Sequence, residues 1–373
     1  MSFGRRPLSL NISLINEMDD DAHQNLGLTD SNDIDDHDDD ILRFEGLSIG
    51  RNYLRIQGTT LLHMDPRSLE MEQTLGRGAC SRVVKAMLRH RDDDNDDDDD
   101  DNNNDSDDAI VASKHRTPVA LKQIPIQSSE KQNMLAKELQ ALAQTDCECL
   151  VKLLGAFLET NTVTLVLEYM DGGSLESLLH GGQLPDPVSA AITYQMLWGL
   201  SYLHFENRLH RDIKPANVLL HRTDGSVKLS DFGISAVMAG SCHMKTTFIG
   251  TMKYMSLERL RSKEYSKPSD VWSVGLIVLE CITGTFCFAD LDSVVELVVT
   301  LEDMIATSGV SLMTGLDHEF SEPLRQLLEG FLQVRPEKRM PASVLMKSPW
   351  FEAEGIASLE HAKCVVQKYL SKE

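Results

Sequence analysis

Side chains suited to moving a charged group lie close together between residues 209 and 231. Asp212 can accept a proton from a hydroxyl, and Lys214 can neutralise a phosphoryl group in transit. Asn217 and Asp231 offer the hard oxygen ligands that Mg²⁺ prefers. A base, a cation and two oxygen ligands in one short stretch could together serve the metal-assisted transfer of a charged group.

A glycine turn lies upstream, in the segment Leu75-Gly76-Arg77-Gly78-Ala79-Cys80-Ser81-Arg82-Val83. Glycine has no side chain, so the backbone at Gly76 and Gly78 can close over phosphates. A lone Gly-x-Gly is more often an ordinary turn, but here apolar strands are predicted on both sides. A phosphate loop between two strands, rather than between a strand and a helix, argues against a dinucleotide-binding Rossmann site.

Lys122 lies inside an apolar segment, Val119-Ala120-Leu121-Lys122-Gln123-Ile124, that is typical of a strand. Burying an unpaired lysine is costly, so a buried Lys122 needs an anion. Glu138, on the helix predicted for 131–144, is a candidate partner. The alternative is a lysine that faces solvent, and the sequence alone leaves both open.

As a set, these motifs resemble the eukaryotic protein kinases over about residues 69–351. His210-Arg211-Asp212, followed by Asn217, matches the kinase catalytic loop, and Asp231-Phe232-Gly233 matches the kinase metal-binding triplet. The resemblance implies a two-lobed α+β kinase fold that uses ATP and Mg²⁺, with a mainly β amino-terminal lobe and a mainly α carboxyl-terminal lobe.

The resemblance also implies roles for individual residues. The catalytic residues are Asp212, Lys214, Lys122 and Glu138, and the metal ligands are Asn217 and Asp231. The nucleotide-binding residues are Leu75, Gly76, Arg77, Gly78, Ala79, Cys80, Ser81, Arg82, Val83, Ala120, Lys122, Leu167, Glu168, Met170, Ser174, Leu219 and Asp231. Asp270 resembles the buried aspartate that anchors the catalytic loop, and Glu258 is expected to pair with Arg339. The residues expected to stack as a packed spine are Leu142, Leu153, His210 and Phe232.

Three segments resemble the MAP kinase kinases in particular: Glu-Tyr-Met-Asp-Gly-Gly-Ser-Leu at 168–175, Asp-Phe-Gly-Ile-Ser at 231–235, and Phe-Ile-Gly-Thr with Tyr-Met-Ser and Glu-Arg-Leu between 248 and 260. That resemblance implies phosphorylation of Ser/Thr, and of Tyr, in the activation loop of a MAP kinase, with a MAP kinase kinase kinase upstream. A Ste20-like kinase higher in a cascade stays open as an alternative. So does a pseudokinase scaffold, although a scaffold need not keep the complete catalytic set.

Two further sites follow from the family resemblance. Ser241 and Thr247 lie where the family carries activating phosphates. Arg5, Arg6, Leu8 and Leu10 resemble the docking motif that grips a MAP kinase, with the bases meeting an acidic patch and the leucines a groove. The carboxyl-terminal stretch 352–373 has helical spacing, and we expect it either to pack on the second lobe or to present a docking face to the upstream kinase.

Composition places these motifs in a nearly neutral body with two acidic appendages. The chain has 373 residues and a formal charge of -22, too acidic for a general nucleic-acid binder. The acids concentrate in residues 1–50 and in the run 92–108, which holds twelve Asp and no base. We expect disorder in the tail 1–40 and in the run 92–108, because both are too polar to bury a core. The run 92–108 interrupts a predicted hairpin. The run lacks the spacing of a calcium-binding loop.

The chain also carries weak indications of its compartment. The seven cysteines form no CxxC pair, which indicates reduced thiols rather than disulfides or a zinc site. No secretory signal and no membrane-spanning segment are apparent. We expect a cytoplasmic protein, with a nuclear location also open.

Periodicity predicts strands first, with one helix, and then helices, which is an α+β pattern. Strands are expected at 83–88, 119–124, 151–157 and 163–168, with shorter ones between 41 and 56. Asp186 is predicted as the N-cap of a helix with Pro187 at its first position. Further helices are expected at 268–282 and 323–332.

Overall fold

The computed structural model describes residues 41–44, 47–56, 59–63, 66–77, 81–89, 116–126, 135, 138–140, 142–232, 252–261, 265–291, 293–308 and 319–372. Several predictions concern residues outside these ranges. They are the acidic tail 1–40 with Arg5, Arg6, Leu8 and Leu10, the run 92–108, Gly78, Ala79 and Cys80 of the glycine turn, Gly233, and the sites Ser241 and Thr247.

The chain divides into two compact units. The first comprises Met1–Gly76, Ser81–Asp146 and Lys152–Leu167, and the second comprises Arg77–Cys80, Cys147–Val151 and Glu168–Glu373. The described residues of the first unit are mainly strands and those of the second are mainly helices. The predicted α+β class is confirmed.

Among the described residues, the first unit contains a five-stranded sheet in the order β5-β6-β7-β9-β8. Its strands are β5 (Leu69–Arg77), β6 (Arg82–Arg89), β7 (Arg116–Pro125), β8 (Leu153–Glu159) and β9 (Thr162–Glu168). Because side chains alternate along a strand, each strand can be apolar on one face and functional on the other. The buried core face carries Val84, Ala86, Val119 and Leu121, which pack with Phe157 and Val166.

A second sheet precedes this one in the chain. Its strands are β1 (Leu42–Phe44), β2 (Leu47–Ile49), β3 (Tyr53–Ile56) and β4 (Thr59–His63), paired antiparallel in sequence order. The Gly50 carbonyl accepts a 2.9 Å hydrogen bond from the Leu158 amide, which ties this sheet to β8. A Cβ at Gly50 would lie 2.4 Å from the Tyr53 ring, so a larger residue in the turn between β2 and β3 would displace that ring.

The helix predicted for 131–144 is described only in part. Leu135, residues 138–140 and residues 142–143 are helical, and Leu135, Leu139 and Leu142 are buried as the periodicity indicated.

The second unit is built around two long helices. Its helices are α1 (Leu175–Leu179), α2 (Asp186–Phe205), α3 (Leu257–Leu260), α4 (Lys267–Thr283), α5 (Val294–Ser308), α6 (Glu322–Phe331), α7 (Ala342–Leu345), α8 (Pro349–Ala353) and α9 (Leu359–Leu370). Helix α2 packs against α4 and α9, and α2 and α4 are buried along most of their lengths. A short antiparallel hairpin, β10 (Val218–Leu220) and β11 (Val227–Leu229), completes the unit. No helix within the described residues has the length and apolar character needed to cross a membrane.

The start of α2 differs from the prediction by one position. Asp186 is the first helical residue and Pro185 precedes it as the cap, without a side-chain capping bond. The amides of Val188 and Ser189 both donate to the Pro185 carbonyl, which draws that residue into the first turn. Asp186 therefore contributes its negative charge at the positive end of the helix rather than a cap.

The carboxyl-terminal helix α9 packs on the second unit, which is one of the two outcomes expected for 352–373. Gln367 donates from its side chain to the Thr223 carbonyl, and Arg222 donates to the Leu370 carbonyl. Both contacts lie at the turn between β10 and β11, where Gly225 has φ +70°. A docking role for this helix stays a prediction.

Substituting Gly225 tests this close approach. A Cβ there would lie 2.0 Å from the Lys363 carbonyl oxygen of α9, and the left-handed backbone adds strain. We expect Gly225→Ala to lower the free energy of unfolding by about 3 kcal/mol. Gly355→Ala is the matched control, because Gly355 has φ +77° but a Cβ added there would meet nothing within 4 Å. The control should cost only about 1 kcal/mol. Urea unfolding measures both, and equal losses would contradict a close contact at Gly225.

Candidate active site

The segment between α2 and β10 brings the predicted catalytic residues together. The Asp212 carboxylate lies 3.1 Å from the Lys214 ammonium nitrogen and accepts a 2.9 Å hydrogen bond from the Asn217 amide. The same amide nitrogen donates to the Asp212 carbonyl at 2.7 Å. Asp212 is therefore held with its carboxylate between an amide donor and a cation. A group that positions a hydroxyl must have a fixed orientation of this kind.

The hairpin β10–β11 brings the two predicted metal ligands to one end. Asn217 immediately precedes β10, and Ser230 and Asp231 follow β11. The Ser230 amide donates to the Asn217 carbonyl at 2.9 Å, which continues the hairpin pairing by one step. Asp231 has a left-handed backbone, φ +63°, so the chain turns at that residue.

The donor set at this end suits Mg²⁺. Because the Asn217 nitrogen is used for Asp212, its amide oxygen is directed away from that carboxylate. The described residues contain no group of three or more His, Cys, Asp and Glu placed to hold a metal ion. One carboxylate and one amide oxygen are what Mg²⁺ takes when substrate phosphates and water supply its remaining ligands.

A buried carboxylate on α4 holds the catalytic loop in place. Asp270 is fully buried, and it accepts 3.0 Å hydrogen bonds from the backbone amides of His210 and Arg211. His204 lies 3.0 Å from the same carboxylate and Tyr265 donates to it. The predicted anchoring role of Asp270 is confirmed.

The surroundings of Asp270 keep it ionised. Burial alone would raise the pKa of this carboxyl, but the hydrogen bond and charge of His204, with the hydrogen bond from Tyr265, lower it below its usual value. A lowered folded-state pKa means that the carboxylate stabilises the fold above the ordinary aspartate pKa. This contribution is lost as the pH falls through the lowered value.

His210 is neutral, and its ring lies beside that of Phe232, the residue after Asp231. Burial lowers the pKa of His210 more than the nearby charges of Asp270, Asp212 and Asp231 raise it. Its Nδ1 accepts a 3.3 Å hydrogen bond from the Asp212 amide, and its ring centroid is 6.2 Å from that of Phe232. His210 and Phe232 are the two residues of the predicted spine that belong to the second unit. The other two, Leu142 and Leu153, belong to the first unit.

In the first unit, the face opposite the core carries the predicted nucleotide residues of β6 and β7. Val83 pairs directly with Lys122, and Ala120 lies two residues from Lys122 on the same face. Lys122 is only 5% exposed, so the alternative of a lysine facing solvent is wrong. Glu138 is helical and half-buried, and its pairing with Lys122 stays a prediction.

The strands on either side of the glycine turn are joined by a side chain. Arg82 at the start of β6 donates to the Thr74 hydroxyl of β5 at 2.7 Å. Leu75, Gly76 and Arg77 lie at the end of β5, so the turn connects two strands as predicted.

The chain after β9 pairs with β10 and so assembles a second group of predicted nucleotide residues. Ser174 forms a β-bridge with Leu219 and also caps α1, accepting from the Ser177 amide at 3.2 Å. Met170 is buried. The Glu168 carboxylate accepts hydrogen bonds from the Lys228 ammonium group of β11, at 2.7 and 2.8 Å. Leu167, the residue before, pairs with Leu153 at the end of β9.

The expected ion pair between Glu258 and Arg339 is present. The guanidinium makes two contacts to the carboxylate, at 2.6 and 3.0 Å, and lies 4.8 Å from the Trp272 ring centroid. Burial is the largest single influence and raises the pKa of Glu258, but the hydrogen bond and charge of Arg339, together with further hydrogen bonds, lower the pKa overall. The pair fixes the start of α3 to the rest of the second unit.

Several supporting residues were not predicted from the sequence. His204 and Tyr265 contact the anchoring Asp270. Lys228 of β11 binds Glu168, and Gln195 binds the hairpin from α2. The Gln195 side chain, fully buried on α2, donates to the Gly225 carbonyl at 3.2 Å and accepts from the Val227 amide at 2.8 Å. A polar residue inside an otherwise apolar helix was the one available signal for Gln195.

Comparison with known proteins agrees with this geometry. The protein kinase domain family matches residues 109–351, more than half of the chain. The chain belongs to the protein kinase family. This kinase is 39% identical over 247 residues to mitogen-activated protein kinase kinase 3 of Arabidopsis thaliana, with 65% of the chain and 46% of that protein covered. It is 38% identical over 240 residues to mitogen-activated protein kinase kinase 2 of the same plant, with 62% and 64% covered.

A third relative is matched over a larger share of its own length than the first two. Mitogen-activated protein kinase kinase 1c of Physcomitrium patens is 35% identical over 240 residues, with 62% of this kinase and 68% of the relative covered. Membership of the MAP kinase kinase branch is thereby shown. A kinase of Emericella nidulans named ste20 matches at 32% identity with 28% of its length covered, which does not favour the Ste20-like alternative.

This kinase spans less than two thirds of the length of the two Arabidopsis relatives. Membership of the family implies the use of ATP and a divalent metal ion.

Proposed function

We propose that this chain is a MAP kinase kinase that transfers a phosphoryl group from ATP to Ser/Thr, and to Tyr, in the activation loop of a MAP kinase. The observation that carries the proposal is the arrangement at the catalytic loop. Asp212 is held by Lys214 and Asn217, and Asn217 is joined through Ser230 to the turn that bears Asp231. A pseudokinase scaffold would not need this arrangement.

Each side chain has a chemical task in this proposal. Asp212 orients the acceptor hydroxyl and accepts its proton. Lys214, at 3.1 Å from that carboxylate, neutralises charge on the group in transit. Asn217 and Asp231 would hold Mg²⁺, and Lys122, on the non-core face of β7, would align the phosphates with Glu138 as its partner. Bound ATP would supply the phosphoryl group, and the metal ion would neutralise charge on it.

We expect Asp212→Asn to lower kcat by about 100-fold or more, because an amide cannot accept the hydroxyl proton. ATP binding should persist, whereas Lys122→Met should weaken productive nucleotide alignment. Asp290→Asn, which removes an exposed carboxylate elsewhere in the same unit, is the control. Initial rates of phosphate transfer to a panel of catalytically inactive MAP kinases give kcat, and mapping of the phosphosites shows which residues are modified. Normal turnover in the Asp212 variant would refute the catalytic role, and phosphorylation confined to kinases with a Ser/Thr-only loop would favour the Ste20-like alternative.

Activation of this chain by a MAP kinase kinase kinase is part of the proposal. A phosphate adds about -1.5 to -2 charge and can order a loop against arginine. Arg211 beside the catalytic aspartate is one such arginine. Ser241 and Thr247 are the proposed phosphate acceptors.

We expect low basal activity that rises when the upstream kinase phosphorylates Ser241 and Thr247. In the Ser241→Ala/Thr247→Ala variant this rise should be absent, because no phosphate can then order the segment. Phosphosite mapping with a turnover assay before and after activation measures it. Thr246→Ala is the matched control, and the assignment is wrong if Thr246→Ala alone abolishes activation or if the double variant is fully activated.

Recognition of the substrate is proposed to involve the amino-terminal tail. Changing Arg5 and Arg6 to Ala, or Leu8 and Leu10 to Ala, should lower kcat/KM on an intact MAP kinase, because a tethered docking site raises the local concentration of substrate. Turnover of a short peptide should stay the same. The control changes Leu26 and Leu28 to Ala, since these residues have the same Leu-x-Leu spacing without preceding arginines. Equal kcat/KM values for all variants would show that the motif does not dock.

We also propose a cytoplasmic location, with a nuclear one open. The described cysteines Cys147, Cys149, Cys281, Cys287 and Cys364 are free thiols, which supports a reducing compartment. Burial raises the pKa of Cys287 to about 12, so this thiol is unreactive at neutral pH.

A further inference from the structure

The residue before the catalytic aspartate has a backbone conformation that side chains disfavour. Arg211 has φ +73°, in the left-handed region. Non-glycine residues persist there only when surrounding contacts hold them. Both backbone polar groups of Arg211 are held: its amide donates to Asp270 at 3.0 Å, and its carbonyl accepts a 2.7 Å hydrogen bond from the guanidinium of Arg259.

Arg259 is itself fixed by a side chain that contacts the same aspartate. Its guanidinium carbon lies 4.3 Å from the ring centroid of Tyr265, a cation–π distance. The Tyr265 hydroxyl donates to the Asp270 carboxylate. A closed circuit results, from the Arg211 amide through Asp270, Tyr265 and Arg259 back to the Arg211 carbonyl.

The bond to the carbonyl acts directly on Asp212. The Arg211 carbonyl and the Asp212 amide belong to one planar peptide group. Arg259 holds the oxygen of this group, and His210 accepts from its nitrogen at 3.3 Å. With both edges held, the plane of the peptide is set, and with it the direction in which the chain enters Asp212.

Arg259 also connects the loop to α3, the helix in which it lies. It directly follows Glu258, whose carboxylate is bound by Arg339. Because this ion pair holds α3, it also holds Arg259 near the Arg211 carbonyl.

We propose that Arg259 is a positioning residue for phosphoryl transfer, which orients Asp212 by holding the carbonyl of the left-handed Arg211. The inference rests on the proposed function, since the positioned residue is the proposed catalytic base. The ion pair of Glu258 with Arg339 holds α3 in place, whereas Arg259 transmits that position to the catalytic loop.

The test compares four variants of the full chain. Arg259→Met removes the donor and keeps an unbranched side chain, whereas Arg259→Lys keeps a cationic donor. Tyr265→Phe keeps the ring beneath Arg259 and removes the hydroxyl that donates to Asp270. Arg261→Met is the matched control, because Arg261 lies two residues away and its exposed ion pair is with Glu302 of α5.

We expect Arg259→Met to lower kcat by about 10- to 100-fold, the scale of a small misplacement of a catalytic group. Its KM for ATP and its Kd for nucleotide should stay within about twofold of the unmodified chain, since no nucleotide contact is changed. Arg259→Lys should recover part of kcat, Tyr265→Phe should have a smaller effect than Arg259→Met, and Arg261→Met should match the unmodified chain.

Amide hydrogen exchange across residues 208–217 gives a readout that does not need activity. Exchange should be faster in Arg259→Met than in the unmodified chain and unchanged in Arg261→Met. If the unmodified chain transfers no phosphate even after phosphorylation at Ser241 and Thr247, the proposed function fails, and exchange alone then decides whether Arg259 holds the loop.

Two results would overturn the proposal. One is unchanged kcat together with unchanged loop exchange in Arg259→Met. The other is a loss in which KM for ATP, Tm and kcat all worsen together and Arg259→Lys restores none of them, because Arg259 would then serve only the stability of the fold.

Discussion

The hydrogen bonding of the buried Asp270 carboxylate is the interaction on which the rest of the second unit's chemistry depends. A fully buried charge is tolerated only where hydrogen-bond donors surround it. Here the donors are the two backbone amides that lead into Asp212, together with Tyr265 and the neighbouring His204. Leaving this charge unpaired would cost several kcal/mol of free energy, so the two loop amides are held at hydrogen-bonding distance from the carboxylate. The catalytic loop thus takes its shape from α4, a helix more than fifty residues further along the chain.

The hairpin that presents Asn217 and Asp231 is held from two sides in a similar way. Gln195 of α2 binds both sides of its turn, and α9 covers the same turn through Gln367 and Arg222. These contacts lie at the closed end of the hairpin, whereas the proposed metal ligands lie at its open end. The carboxyl-terminal helix is therefore part of the support of the active site.

Local pattern was enough to predict much of the architecture. The apolar runs at 83–88 and 119–124 predicted strands that lie within β6 and β7, and helical periodicity located α4 and α6 to within a residue at each end. The N-cap of α2 was wrong by one position because backbone bonds to Pro185 decided where the first turn begins. The separate sheet β1–β4 was predicted only as short strands, since pairing partners are not encoded in strand periodicity.

The sequence by itself determined which residues can do the chemistry. Asp212, Lys214 and Asn217 are close in the chain, and their match to the kinase catalytic loop implies a shared site. The choice of Lys, Asp and Asn reflects intrinsic charge and oxygen donors. Only the tertiary structure decided how these groups are oriented. The left-handed Arg211 is held by Asp270 and Arg259, which lie 59 and 48 residues away along the chain. Such contacts have no periodicity, because they arise from the packing of whole helices, and they exist only once those helices have come together.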